Sequence, residues 1–437
     1  MPFYFVVSNK ICTFAAKSKY MEKELFRTII AENQEYIGRI PLVQRPLDLE
    51  EYGNYVFVGV RQAGKSYLLY QRIQQLLANG VDIENIVYVN FDDERLQGMS
   101  VTDFDLILQA YHSMYDSQPI FFFDEIQNVE GWANFARRLA NQKHRVYITG
   151  SNAKMLSRDI ETVLGGRYLD ISVFPYSFSE YLKAVGVSVS KNWQYGRKAN
   201  ELQRHFRTYF DWGGFPELVH FQEKRVWLNS LYNRIFFNDL VVRHKVKNED
   251  ALRLCVRRLA ESVKQPCSLN RLSNLIKATG TPCSPSTVME YVRYLQESCL
   301  LISIDNYVSK FVEKETIKKH YFVDNGLLHL FINNPNTSLL ENLCTITLYK
   351  KYGKGLYYYN RNIEVDFYVP DEGLAVQASY QMSDEETIER EAKALVALHG
   401  LYPLKRAMII TYEDEGEIVR EGLKIEIKPA WKWVMEG

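Results

Sequence analysis

The segment Gly59-Val60-Arg61-Gln62-Ala63-Gly64-Lys65-Ser66 satisfies the pattern G-x-x-x-x-G-K-[ST] in full. Its residue types suit phosphate binding. Gly59 and Gly64 let the backbone curl until successive N–H groups and a helix N-terminus face an anion. Lys65 then reaches the β- and γ-phosphates, and the Ser66 hydroxyl can ligate Mg²⁺. The stretch from Gly59 to Tyr67 is therefore the expected nucleotide-binding loop, with ATP and Mg²⁺ as the implied ligands. An apolar strand, YVFVG, precedes it and an amphipathic run, SYLLYQRIQQLL, follows.

Further along, IFFFDE ends an apolar strand in two carboxylates. Burying charge without a partner is costly, so the pair needs a reason. Asp124 would hold the Mg²⁺ water shell and Glu125 would activate the attacking water. YITGSN brings Ser151 and Asn152 to the same sheet edge, either as sensors of the γ-phosphate or as turn residues. Asn90, ending IVYVN, lies on a strand end that could reach Glu125. Arg167, in LGGR, could set a guanidinium on transition-state charge, in cis or from a neighbouring subunit; a surface ion pair is the other reading. No second sensing arginine stands out.

A different constellation lies in IEVDFYVPDEGLAVQASY, residues 363–380. Apolar and polar residues alternate, a Pro-Asp-Glu-Gly turn intervenes, and alternation resumes, which predicts a hairpin. Its first strand carries Glu364 and Asp366 and its second ends in Gln377-Ala378-Ser379.

These residues need a scaffold. Residues 55–173 alternate short apolar strands with amphipathic helices, which predicts a parallel sheet covered on both faces. Residues 177–250 read as helical and aromatic, broken at WGGFPE. Residues 251–318 read as two helices and a strand in the order of a winged helix, and 319–437 return to strand–helix alternation. The expected units are an extension (1–20), a nucleotide-binding domain (21–176), a helical lid or linker (177–250), a winged-helix-like unit (251–318) and a C-terminal α/β unit (319–437).

Composition narrows the possibilities. Lys+Arg and Asp+Glu are both 53 among 437 residues, which argues against a protein that coats a polyanion. Between Lys191 and Lys264, however, basic residues outnumber acidic ones, leaving solvated helix faces, a nucleic-acid surface and an acidic partner as alternatives. Six cysteines form no C-x-x-C pair and read as reduced thiols. The first residues make a poor signal peptide and no apolar run is long enough to span a bilayer, so a cytoplasmic, membrane-free protein is expected.

With these motifs in place, the chain resembles a prokaryotic AAA-type ATPase family in which a P-loop domain precedes a C-terminal domain of unassigned function. GVRQAGKSYLL, YVNFDDERL, FFFDEIQNVEGW, ITGSNAKMLS, LGGR, FPYSFSEY, GGFPE, TVMEYVRYLQES, YFVDNGLL, ENL and EVDFYV carry the resemblance in order. It implies an α/β fold: an AAA-like three-layer domain with a parallel sheet, a helical and winged-helix region, then an α/β domain similar to restriction-endonuclease-like phosphodiesterases. It also implies ATP binding and hydrolysis. In such a nuclease fold a helix carboxylate and a strand Asp hold metal, and a D/E-x-K on the next strand completes the site. Glu341 and Asp366 match the first two positions. Gln377 and Ser379 replace the third, and Lys393 is the only lysine before Lys405 that could return, so a degenerate site is expected. The functional expectation is an Mg²⁺-dependent ATPase with Lys65, Glu125 and Arg167 as its catalytic residues, coupling turnover to conformational change. A slow nucleotide-gated adaptor and an ATP-dependent DNA-processing nuclease are the alternatives. DNA, a protein partner and a second copy of the chain are the partners left open.

Overall fold

The structure, a computed structural model, describes residues 21–156, 158–189, 191–382 and 385–436. The expected extension at 1–20 lies outside the described residues.

Five apolar segments form a parallel sheet: β1 (Tyr55–Val58), β2 (Ile86–Asn90), β3 (Ile120–Asp124), β4 (Arg145–Gly150) and β5 (Leu169–Ser172). The order is β2-β3-β4-β1-β5, so β1 sits inside the sheet with β4 and β5 as neighbours. Strands β1 and β3 are buried at every position, because helices cover both faces. Helices α1 (Lys23–Tyr36), α3 (Phe104–His112) and α4 (Trp132–Asn141) enclose one core with Val56, Phe121 and Ile148. Helix α2 (Lys65–Ala78) lies on the opposite face with Phe57, Phe122 and Tyr147. Helix α1 also shields the sheet edge: Asn33 and Gln34 donate to the carbonyls of Tyr88 (3.1 Å) and Ile86 (2.9 Å) on β2. A short helix α5 (Arg158–Leu164) precedes β5.

The chain then turns helical. Helix α6 (Phe178–Ala184) opens on a capping box between Ser177 and Glu180, and α7 (Gly196–Trp212) ends where Gly213 takes φ +78°. Helix α8 (Lys224–Arg234) continues into a π-helix, Ile235–Val242. Next come α9 (Glu249–Glu261), β6 (Cys267–Ser268), α10 (Leu269–Lys277), α11 (Pro285–Glu297), β7 (Leu301–Asn306), α12 (Phe311–Thr316) and β8 (Ile317–Phe322); β8 pairs antiparallel with both β6 and β7.

Helices α13 (Asn325–His329) and α14 (Asn336–Tyr352) lead to β9 (Tyr357–Asn360) and to the hairpin β10 (Glu364–Val369) and β11 (Leu374–Ala378). Phe367 faces Val376 across the hairpin, and Gly373 supplies the left-handed turn residue at φ +57°. Helix α15 (Glu385–Leu401), β12 (Arg406–Thr411), β13 (Gly416–Arg420), β14 (Leu423–Pro429) and α16 (Ala430–Glu436) complete the chain.

Strand β7 also pairs with β9, so β6 to β14 belong to one nine-stranded sheet. The boundary expected at 318/319 therefore falls inside β8. Local alternation marks strands but cannot tell which strands share a ladder. One core runs from the α2 face of the small sheet through the helical region to the α14 face of the large sheet. Among the described residues no helix is long and apolar enough to cross a membrane.

Candidate nucleotide-binding site

The loop after β1 is shaped by contacts on three sides. A Cβ on Gly59 would stand 2.0 Å from the Val173 carbonyl oxygen, so only glycine lets the loop pass the exit of β5. Gly64 holds φ +93° at the start of α2, and Gln62 adopts φ +63° despite its side chain. From outside, Arg45 donates to the Ala63 carbonyl (3.1 Å) and pairs with Glu180 at 2.8 Å. Val60 and Ala63 are fully buried. Lys65, only 4% exposed, turns its ammonium back over the loop, 3.2 Å from the carbonyls of both Gly59 and Val60 and 3.3 Å from Glu125 Oε1.

Asp124 and Glu125 leave the neighbouring strand end in opposite electrostatic circumstances. Asp124 is buried; Tyr88 donates to it at 2.8 Å, and Thr149 and Ser66 also bond it. Burial, followed by the adjacent Glu125 charge, raises its pKa. Glu125 sits at φ +51°, with its N–H on Thr149 Oγ1 at 2.9 Å. Burial alone would raise its carboxyl, but Lys65, Gln127 and Arg61 outweigh that and pull it down to about 2. The Ser66 hydroxyl and the Asp124 carboxylate form a paired oxygen donor set of the kind Mg²⁺ takes.

Several expected side chains are employed elsewhere. Asn90 lies beside Asp124 across β2–β3, but its Oδ1 accepts the Asp92 N–H (2.9 Å) in a turn. Gln127 instead contacts Glu125, at 2.5 Å. Asn152 Oδ1 likewise caps its own turn through the Lys154 N–H. Tyr67 is exposed and packs edge-on against Tyr70. Arg167 is exposed and donates to the Gly165 carbonyl at 3.0 Å. Leu169 pairs with Tyr55 and Ser172 with Val58, so Arg167 stands where β1 begins while the loop starts where β1 ends. At about 3.3 Å per residue the strand alone separates them by more than about 10 Å, which excludes the expected role in cis.

Two residues outside the recognisable motifs reach the site. Arg61 directs its guanidinium onto Asp239 of the π-helix, at 3.0 and 3.1 Å. Arg243, one turn beyond Asp239, bonds that carboxylate at 2.8 Å and the Ser151 hydroxyl and carbonyl at 3.4 Å. Ser151 is thereby joined to Arg243 and, at 3.5 Å, to Gln127. No local pattern marks Arg243 or Asp239; a buried aspartate in an apolar run, IFFNDLVV, was the available signal.

The second constellation assembles around a lysine. Lys319 on β8 is fully buried, with its ammonium 3.1 Å from Asp366, 3.2 Å from Glu364 and 3.3 Å from Glu341. Glu341 also accepts from Tyr321 at 2.7 Å; burial and Asp366 push its carboxyl up to about 8 against the pull of Lys319. Gln377 is spent on β10, accepting the Asp366 N–H and donating to the Glu364 carbonyl. Ser379 donates to the Gln381 carbonyl. Lys393 is exposed, so the lysine comes from β8 and not from the helix after the hairpin. Among the described residues no group of three His, Cys, Asp or Glu is placed to hold a metal ion.

Residues 52–182 match the family described as an AAA domain, and residues 203–338 match a domain of unknown function, DUF8612. The uncharacterized protein MJ1544 of Methanocaldococcus jannaschii is 31% identical over 432 residues, covering 94% of this chain and 95% of its own length. An uncharacterized protein of Haemophilus influenzae is 31% identical over 391 residues, covering 86% and 93% respectively. Among solved structures, the Walker-type ATPase paby2304 of Pyrococcus abyssi aligns over 72% of this chain and 97% of that chain, at 12% identity and a TM-score of 0.37, too low to inform the site.

Proposed function

The chain belongs to the family of MJ1544 and its Haemophilus influenzae relative and carries an AAA-type P-loop ATPase domain; from that premise we propose that it binds ATP with Mg²⁺, hydrolyses it, and couples turnover to its helical and C-terminal parts. The observation that carries this reading is the 3.3 Å contact between Lys65 and Glu125, beside the Ser66–Asp124 pair. Phosphate-binding cation, general base and metal-holding oxygens thus converge at one sheet edge.

In this mechanism the loop N–H groups and Lys65 take the β- and γ-phosphates. Lys65 would exchange its two loop carbonyls for phosphate oxygens. Mg²⁺, held by Ser66 and Asp124, supplies charge neutralisation on the phosphate oxygens when bound. Glu125, ionised at neutral pH, accepts the proton of the attacking water. Gln127 holds the unused oxygen of that carboxylate, and Ser151 with Arg243 faces the γ-phosphate side. Arg167 would act only on a neighbouring copy's nucleotide. Phosphate release by wild type, Lys65→Ala and Glu125→Gln tests the reading. Equal rates in all three would overturn it.

Coupling rests on Arg243 and its neighbour. Arg243 touches Ser151, while His244 stacks on Tyr294 of α11, ring centroids 3.9 Å apart. The order α9-β6-α10-α11-β7-α12-β8, with β6 on β8, supports a winged-helix reading of this unit. Met289, Glu290 and Arg293 on the exposed face of α11 carry no net charge, which favours a protein partner over DNA for that helix. The Lys319 ammonium among Glu341, Glu364 and Asp366 supports a nuclease-like domain retained without metal chemistry.

A further inference from the structure

A cavity of about 580 Å³ lies between α7 and the chain segments leaving β11 and β12, and no P-loop residue lines it. Strands β11 and β12 are parallel, so the cavity lies outside their carboxyl ends, where open α/β sheets receive ligands. Its volume falls within the range of about 300–1,000 Å³ usual for small-molecule sites.

The lining has three chemistries. Tyr380 follows β11 after Ser379 and Tyr412 follows β12 directly; they are joined by a 3.1 Å hydrogen bond from the Tyr412 N–H to the Tyr380 carbonyl, and stack at 4.8 Å with 20° between planes. Phe210 buttresses Tyr412 edge-on at 5.1 Å, so the pair is held rigidly while both rings keep part of their surface open. On one wall, Arg204 and Arg207 stand three residues apart on α7, hence on one helix face. Both are exposed, and among the described residues neither guanidinium makes a hydrogen bond or close ion pair. Asp211 lies on the same helix face, four residues after Arg207, while Glu413 and Asp414 follow Tyr412 on the other wall, Asp414 accepting the Met382 N–H at 2.8 Å.

Several other basic residues of the stretch are engaged. There, Arg243 is paired with Asp239, Arg258 with Glu261, Lys198 with Glu201, and Arg253 lies over Phe236 at 4.1 Å. Two guanidiniums without a hydrogen-bonded partner beside a tyrosine stack suit a ligand with an anionic group and a planar ring. The carboxylates suit the exocyclic amino groups of such a ring. We propose that this cavity is a second nucleotide site, in which the tyrosine pair stacks a nucleobase and Arg204 and Arg207 hold its phosphate. The nucleotide is either a free nucleoside monophosphate or one unit of a single strand; both offer the same base and phosphate. The proposal does not depend on the ATPase reading, since no P-loop residue takes part.

Titrations of full-length Lys65→Ala test it, because that change weakens the P-loop and leaves the cavity intact. AMP and a single-stranded DNA of about ten nucleotides serve as separate probes. Binding of AMP identifies the free-nucleotide source; binding of the oligonucleotide alone identifies the strand. In either case Arg204→Ala/Arg207→Ala should weaken binding by about tenfold or more, and Tyr380→Leu by a comparable factor through lost stacking. Both variants, made in the wild-type background, should leave ATP turnover unchanged. The arginine pair is exposed, so its loss does not threaten folding even if Tyr380→Leu does. If neither probe binds at millimolar concentration, or if binding survives loss of both arginines, the proposal is wrong.

Discussion

Lys319 Nζ lies 3.1 Å from Asp366 Oδ1, a contact that joins strand β8 to strand β10 across 47 residues of sequence. The ammonium stands amid the three carboxylates of Glu341, Glu364 and Asp366. Charge that would otherwise have to be met by an external ion is met by the chain itself.

Lys319→Met should therefore destabilise the protein strongly. Removing one partner of a buried ion cluster costs about 3–5 kcal/mol, because the remaining charges stay desolvated. Adding Glu341→Gln to it should recover part of the loss. Urea unfolding of the single and double variants measures both effects; a Lys319→Met protein as stable as wild type would contradict the placement.

The pH dependence of turnover should lack an acid limb from Glu125 at ordinary carboxylate values. Its folded-state pKa, near 2, is depressed below the usual 4.5. The group thus contributes stability above the unfolded value and loses it as pH falls through about 2. Rates measured from pH 8 down to pH 5 should show no titration assignable to this carboxylate.

Arg243→Ala should lower kcat by about tenfold or more while changing KM for ATP little, since it bonds Ser151, which the proposed mechanism sets beside the γ-phosphate. Asn90→Ala, by contrast, removes only a turn hydrogen bond and should leave kcat within about twofold. Steady-state kinetics on the two variants separates the roles.

Arg167→Ala should leave ATP affinity of the isolated chain unchanged, because its side chain is at the wrong end of the sheet. If copies associate, Arg167→Ala mixed with Lys65→Ala should regain turnover that neither variant has alone. Activity titrated against mixing ratio gives the answer.

Much of this site was legible locally. The P-loop, its strand and its helix are contiguous, so backbone conformation alone brings Gly59 to Ser66 to one point. Asp124 and Glu125 were legible because carboxylates closing an apolar strand are costly without a task. Lys319 was not: β8 buries it together with the next three residues and leaves its neighbour Lys318 partly exposed. Its meaning depended on Glu341 and Asp366, which reach it only through sheet pairing and helix packing. Arg243 was hidden for the same reason: the π-helix that aims it has no reliable sequence signature. The sheet edge reached by Arg167 follows from strand direction, which its glycines do not reveal.

The large sheet is nine strands wide, but the register between β7 and β9 extends over only two residue pairs, Asp305–Tyr357 and Asn306–Tyr358. The side chain of Asn306 reinforces them, donating to the Asn360 carbonyl at 2.6 Å and accepting the Asn360 N–H at 3.0 Å. That amide ties two otherwise well-stitched panels together, alongside the Tyr307 N–H on the Tyr358 carbonyl at 2.8 Å and the Lys319 ammonium that bridges β8 to β10. The join between the two panels is thus carried more by side chains than by the strand ladder.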